Sequence, residues 1–167
     1  MSSPILKHQL TENVKILHKV ALVVNNKVLI LKRADDASSR PGKWDLPGGN
    51  SEWPDKLNSN KLNPHQEDIS REIKEETGIE IAPEEFGIDK LKYFATFFEL
   101  DRQLYSVNCG WVVILSQSST NDARMPAVTI SSEHNDYQWI GLSELDQYDF
   151  GGPDRDYETA IIRQALG

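Results

Sequence analysis

With 167 residues, a net charge of −8 and 38% hydrophobic side chains, the chain has the composition of a soluble globular protein of one domain, long enough for a sizeable core. The acidic balance argues against a surface that holds nucleic-acid polymers. No apolar run approaches the roughly 20 residues of a membrane span, residues 1–15 lack a signal-peptide core, and the single cysteine, Cys109, can form no internal disulfide. The expectation is therefore a cytoplasmic protein of a reducing compartment with no membrane partner. Monomer and homodimer both stay open.

Residues 1–12 are polar and expected to be loose, with one domain over 13–167. Residues 14–24 are β-branched and apolar, continuously so from Val20 to Val24, as in a strand covered on both faces. Asn25-Asn26 tolerates the left-handed backbone of a tight hairpin, and residues 27–33 return as a second strand around Val28-Leu29-Ile30-Leu31. Arg33 ends it, either as an ordinary charged terminus or as a group aimed at an anion. A polar loop over 34–43 leads to Trp44-Asp45-Leu46-Pro47-Gly48-Gly49. Paired glycines permit conformations closed to other residues and close approach to a ligand, which makes Gly49 a candidate substrate contact. Trp44 is expected to pack rather than react.

Residues 63–78 carry the most information. Asn63 is a candidate N-cap, Pro64 suits the first helical position, and Gln66 completes a capping-box pattern. Gly78 can end the helix in the left-handed conformation, with Ile79 falling back on Ile73 as in a Schellman ending. Ile69 and Ile73 form one buried stripe. Beside it Asp68, Glu72, Glu75 and Glu76 share an arc of about 100°. Like-charge pairs at this spacing cost roughly 0.2–0.5 kcal/mol each, which Arg71 offsets in part by reaching Glu67 and Glu75. A solvated acidic face is one reading. The other is a site wall, because Glu72 and Glu76 border the buried stripe, and hard oxygen ligands grouped this way suit Mg²⁺ or Mn²⁺.

Arg71-Glu72-Ile73-Lys74-Glu75-Glu76-Thr77-Gly78-Ile79 matches R-E-U-x-E-E-x-G-U, with U apolar, at every position, and so resembles the second half of the Nudix box. The segment over 44–49 resembles the L-P-G-G opening of the same motif. Residues 32–36 resemble a strand end of the MutT-like branch, where an arginine contacts substrate phosphate. The resemblance implies an α/β (α+β) Nudix fold, a mixed β-sheet sandwiched between α-helices. It also implies Glu72 and Glu76 as principal ligands of Mg²⁺ or Mn²⁺, Glu75 as a ligand oriented by Arg71, the Gly48 carbonyl as a further ligand and Arg33 as a phosphate contact.

One departure stands out. The family spacing is G-x5-E-x7-R. Counting forward from Gly49 puts Asp55 at the glutamate position, and counting back from Arg71 puts Asn63 there. Fifteen residues separate Asp55 from Arg71, eight more than the motif holds, so an insertion at about 55–63 is expected. Either Asp55 replaces the first box glutamate or the position is lost, while Glu52 keeps an acid shortly after the glycine pair. Such a loop costs little stability and lies where loops select substrate.

After the helix, Pro83-Glu84-Glu85 reads as a turn, and residues 91–100 and 104–116 as two strands. In the second, Tyr105, Val107, Cys109, Trp111, Val113 and Leu115 alternate with Ser106, Asn108 and Gly110, giving one apolar face with Cys109 as a small core residue. Residues 137–140 read as a short strand, and Tyr157, Ala160, Ile161, Ala165 and Leu166 mark an amphipathic terminal helix. The four histidines show no metal-ligand spacing and receive no role. Residues 131–139 read as a polar loop running into a strand at Trp139. MutT-like proteins carry a glutamate six residues before a tryptophan here, and Glu133 matches, as a general base or an additional metal ligand. Asp136 is the alternative.

The resemblance implies Mg²⁺-dependent hydrolysis of a phosphoanhydride in a nucleoside diphosphate linked to a group X. A nucleoside triphosphate, modified or not, fits the MutT-like features. ADP-ribose, dinucleotides, nucleotide sugars and a non-catalytic nucleotide sensor are the alternatives.

Overall fold

The computed structural model describes residues 13–52, 59–115, 124–152 and 156–167. Strands β1 (Val14–Val24) and β2 (Lys27–Arg33) form the expected hairpin. Asn25 and Asn26 both take positive φ, 49° and 58°, as a two-residue turn between twisted strands requires. The two strands pair only next to the turn, through Val23↔Val28 and Val24↔Lys27, and then part. The segment over 44–51 fills the gap. Its first residues, β3 (Trp44–Asp45), pair with β2. Its later residues bond to β1: Val20 N–H donates to Pro47 O and His18 N–H to Gly49 O, both at 2.9 Å, and Ser51 N–H donates to Ile16 O at 2.8 Å.

β1 runs parallel to β5 (Leu104–Ile114), in register from Val14↔Tyr105 to Val23↔Ile114. β4 (Leu91–Glu99) lies antiparallel outside β5, and β6 (His134–Ile140) lies antiparallel outside β2. The result is a six-stranded mixed sheet, in the order β3-β2-β1-β5-β4 with β6 on β2. β6 begins at His134, three residues before the expected 137. Backbone pairing with β2 makes the strand there, and its exposed polar side chains give no alternation to read.

Alternate residues of β1 feed two cores. Val20 and Leu22 pack with Leu29, Leu31, Trp111 and α1 (His65–Thr77) on one face. Leu17, Ala21 and Val23 pack with Val28, Ile30 and α2 (Asp156–Leu166) on the other. Burial on both faces is why residues 20–24 are continuously apolar. Ile69 and Ile73 of α1 are fully buried, as their spacing requires.

Both ends of α1 differ from the expected caps. Asn63 is itself left-handed at φ 54°. Its carbonyl, not its side chain, serves the first turn by accepting Gln66 N–H at 3.2 Å. The Gln66 side chain points elsewhere and donates to Phe86 O at 3.3 Å. Gly78 is left-handed as expected (φ 71°), with its N–H on Lys74 O. Ile79 N–H goes to Thr77 Oγ1 at 3.1 Å, so this is a single-bond left-handed ending and not a Schellman pair. Ile79 still packs against the core that holds Ile73.

Candidate active site

The segment wedged into the hairpin carries Pro47-Gly48-Gly49 to the middle of the sheet, under the C-terminal half of α1. A Cβ on Gly48 would lie 2.1 Å from His18 O, and its φ of +127° is in the range that favours glycine, so the close approach to β1 excludes any side chain. Gly48 N–H donates to Glu76 Oε2 at 2.7 Å. A Cβ on Gly49 would sit 3.1 Å from Glu72 Oε2. Two carboxylates one helical turn apart thus rest directly on the two glycines.

Burial opposes the charge of both carboxylates, and more so that of Glu76. Glu76 is only 8% exposed, and burial pushes its carboxyl up to about 7 against the pull of Lys19 and the Gly48 N–H. Burial also raises Glu72 above the ordinary carboxylate range, with Arg71 pulling the other way. Arg71 contacts Asp68 (2.8 Å), Glu72 (2.9 Å) and Glu75 (3.0 Å). The pairing with Glu75 is as expected; that with Glu67 is not, because Glu67 turns to Lys61. Among the described residues no three acidic, histidine or cysteine side chains converge on one point. A small divalent cation does not need them to, since Mg²⁺ is commonly held by one or two carboxylates together with substrate phosphates and water. Hard carboxylate oxygens whose charge burial disfavours fit Mg²⁺ or Mn²⁺. Pro47 and Gly49 carbonyls are taken by β1, and the Gly48 carbonyl has no part in that ladder.

Behind the wedge lies a buried charge cluster. Lys19 Nζ meets Asp45 Oδ1 at 2.7 Å and donates to Leu46 O at 3.0 Å. Arg40 meets Asp45 Oδ2 at 3.0 Å and donates to Phe150 O at 3.1 Å. Glu158 of α2 faces both cations at 3.7–3.8 Å. Burial alone would lower Lys19, but Asp45, then Glu158 and Glu76, hold it above its ordinary value. Burial would likewise raise Asp45, and Lys19 with its other partners keeps it well below the carboxylate range. Burial, then Asp45, raises Glu158. The cluster ties the start of the wedge to β1 and α2, and so fixes where the glycines stand. Arg33 joins its edge, 3.4 Å from Asp45 Oδ2 and bonded through Nε to Ser39 O at 2.8 Å.

A cleft of about 820 Å³ opens next to the carboxylates, between the first turns of α1 and the α1-facing side of β1 and β5. One end is charged, with Glu52, Asp68 and Arg71. The other is apolar and aromatic, with Ile16, Val107, Leu91 and Trp111. His65 stacks on Trp111 (centroids 5.2 Å, planes 20° apart), and His18 completes the group at 5.9 Å from each. Burial, then the neighbouring His65, lowers His18 to about 4, so its ring is neutral near pH 7.

The NUDIX domain profile matches residues 17–160. The chain belongs to the Nudix family. A nucleoside triphosphatase NudI from Escherichia coli O81 (strain ED1a) is 30% identical over 127 residues, covering 72% of this chain and 77% of that protein. A MutT protein from Methanosarcina mazei Go1 shares the fold, with a TM-score of 0.59 at 24% identity over 90% of this chain and 93% of that one. A bifunctional NMN adenylyltransferase/ADP ribose pyrophosphatase from Francisella tularensis, complexed with AMP and a Mn ion, superposes with a TM-score of 0.61 at 21% identity, over 92% of this chain and 42% of that one. The chain is a Nudix hydrolase with a MutT-like fold, a pyrophosphohydrolase enzyme.

In this Nudix hydrolase Glu72 and Glu76 rest on Gly49 and Gly48, and Arg71 links Glu72 to the exposed Glu75. Arg33 sits at the charge cluster behind the wedge. Glu133 is exposed at the turn that starts β6, where its carbonyl accepts Ala34 N–H at 2.9 Å, and Asp136 is exposed within β6. Asp55 lies outside the described residues. The sequence reading gave no role to His18, His65, Lys19 or Glu158. Lys19 was legible as a lone cation in an apolar run; the contacts of His18 depend on the β1–β5 register, which no local pattern encodes.

Proposed function

We propose that this Nudix hydrolase uses Mg²⁺ or Mn²⁺ to cleave a phosphoanhydride bond in a nucleoside diphosphate linked to a further group X, with a nucleoside triphosphate as the favoured substrate. The observation that carries the reading is the pair of desolvated carboxylates, Glu72 and Glu76, resting on Gly48 and Gly49 beside a cleft with one charged and one aromatic end. Glu72 and Glu76 would hold the cation, with the Gly48 carbonyl as a further oxygen and Glu75 oriented by Arg71. A cation held there would supply charge that offsets the phosphates and the anion developing as the anhydride breaks.

The other roles belong to the chain. Arg33 leaves its contact with Ser39 to meet phosphate. Glu133 takes the proton of the attacking water. The aromatic end of the cleft packs the nucleoside. We place this activity in the cytoplasm, in one domain over 13–167 whose Nudix box holds an insertion at about 55–63. The F. tularensis neighbour is an ADP ribose pyrophosphatase complexed with AMP and a Mn ion, which makes ADP-ribose the second substrate class. A non-catalytic sensor is disfavoured because Glu72, Glu75 and Glu76 are all present. Phosphate and pyrophosphate release over a panel of nucleoside triphosphates, ADP-ribose, dinucleotides and nucleotide sugars, with and without Mg²⁺, tests the reading. Absence of metal-dependent release from every member overturns it.

A further inference from the structure

A three-residue relay crosses the floor of the cleft. Trp111 Nε1 lies 3.1 Å from His18 Nδ1, and His18 Nε2 lies 2.8 Å from Ser51 Oγ. An indole nitrogen can only donate a hydrogen bond. His18 Nδ1 must therefore accept, which selects the neutral ring with its proton on Nε2. That N–H points at Ser51 Oγ, so the hydroxyl accepts from the protein and has its own proton left to give. Among the described residues nothing takes it. Ser51 is also fixed through its backbone, by the bond from its N–H to Ile16 O at 2.8 Å. It follows the glycine pair by two residues and lines the cleft between the charged end at Glu52 and Arg71 and the ring group of His65 and Trp111.

We propose that Ser51 is a substrate-binding donor, oriented by His18 and Trp111, for an acceptor oxygen at the neck of the substrate where its phosphate chain joins its organic group. For a nucleotide that oxygen belongs to the sugar or to the first phosphate. The proposal rests on the hydrolase reading of the same cleft. His18 and Trp111 act through Ser51 and are positioning residues.

Nitrogen-15 NMR of the wild-type His18 ring tests the relay without any substrate. The Nε2–H tautomer is expected at pH 7, and the Nδ1–H tautomer or a cationic ring overturns the proposal. Ser51→Ala should lower kcat/KM about tenfold, the size of one hydrogen bond, and Ser51→Thr should restore most of it. Trp111→Phe should also lower kcat/KM, and the double variant Ser51→Ala/Trp111→Phe should be no worse than its poorer single variant, because both changes act on one bond. Full additivity contradicts the relay. Ribo-, 2′-deoxy- and 2′,3′-dideoxynucleotides separate the acceptors: a Ser51→Ala loss that disappears when a sugar hydroxyl is removed assigns that hydroxyl, and an equal loss with all three assigns the first phosphate or the ring oxygen. Wild-type kcat/KM in Ser51→Ala on every hydrolysed nucleotide overturns the proposal. If the wild type hydrolyses nothing, the hydrolase reading fails, and calorimetric affinity for ATP and ADP-ribose replaces kcat/KM with the same tenfold expectation. Binding unchanged by Ser51→Ala, or no binding by the wild type, then overturns it.

Discussion

Glu76→Gln should make the protein more stable while nearly abolishing its activity. Burial lifts the Glu76 carboxyl from 4.5 to about 7, and at about 1.36 kcal/mol per unit, ionising it in the folded chain costs roughly 3 kcal/mol more than in the unfolded chain. The sign follows from linkage. A carboxyl with a raised folded pKa contributes fully below its unfolded value and loses that contribution as pH rises through the folded value. Wild-type protein in chelator should therefore lose about 3 kcal/mol from this group between pH 4.5 and pH 8. The glutamine is neutral throughout, and its amide oxygen can still accept the Gly48 N–H. Thermal melts in excess chelator should put the variant roughly 6–12 °C above wild type at pH 8, using the 2–4 °C per kcal/mol usual for a chain of this length. The two should nearly coincide at pH 4.5. Saturating Mg²⁺ should raise the wild-type midpoint and move the variant much less, and kcat should fall on the order of a hundredfold or more. Equal midpoints at pH 8, or a gap that persists unchanged into acid, would mean that burial does not raise the Glu76 carboxyl.

Three further outcomes are expected. Asp45→Asn leaves Lys19 and Arg40 buried without their shared anion, and should cost about 3–5 kcal/mol in denaturant unfolding, whereas Glu158→Gln, whose carboxyl burial already raises, should cost much less. Gly48→Ala forces a Cβ onto His18 O at 2.1 Å and should displace the wedge, read as a loss of kcat together with a lower melting point. Glu133→Gln should flatten the pH dependence of kcat and lower it while leaving Mg²⁺ affinity intact; if Asp136→Asn does this instead, the base is Asp136.

Helix α1 was legible because its evidence is local: a nine-residue motif, two isoleucines four apart and a glycine that ends the helix in left-handed backbone. Its start was not, because Asn63 takes the left-handed backbone that asparagine also tolerates and serves the first turn through its carbonyl instead of its side chain. β6 was read three residues short for a related reason: the ladder with β2 makes that strand, and His134 is its one buried residue before Ile140. The larger gaps concern contacts far apart in sequence. Nothing within residues 44–51 says that they lie between β1 and β2, yet that insertion places Gly48 against Glu76. The contact of His18 with Trp111 spans 93 residues and follows from parallel pairing. Lys19 and Glu158 lie 139 positions apart in the sequence, and only the wedge brings Asp45 to Lys19 beside Glu158.

The most direct measurement is Mg²⁺-dependent phosphate or pyrophosphate release from the nucleotide panel by wild type and by Glu72→Gln, with the fold of each checked by circular dichroism. Wild type should turn over at least one nucleoside triphosphate and lose that turnover in excess chelator, and a folded Glu72→Gln variant should lack it. Undiminished turnover in chelator, or wild-type rates in the variant, would contradict the proposed metal-dependent hydrolysis.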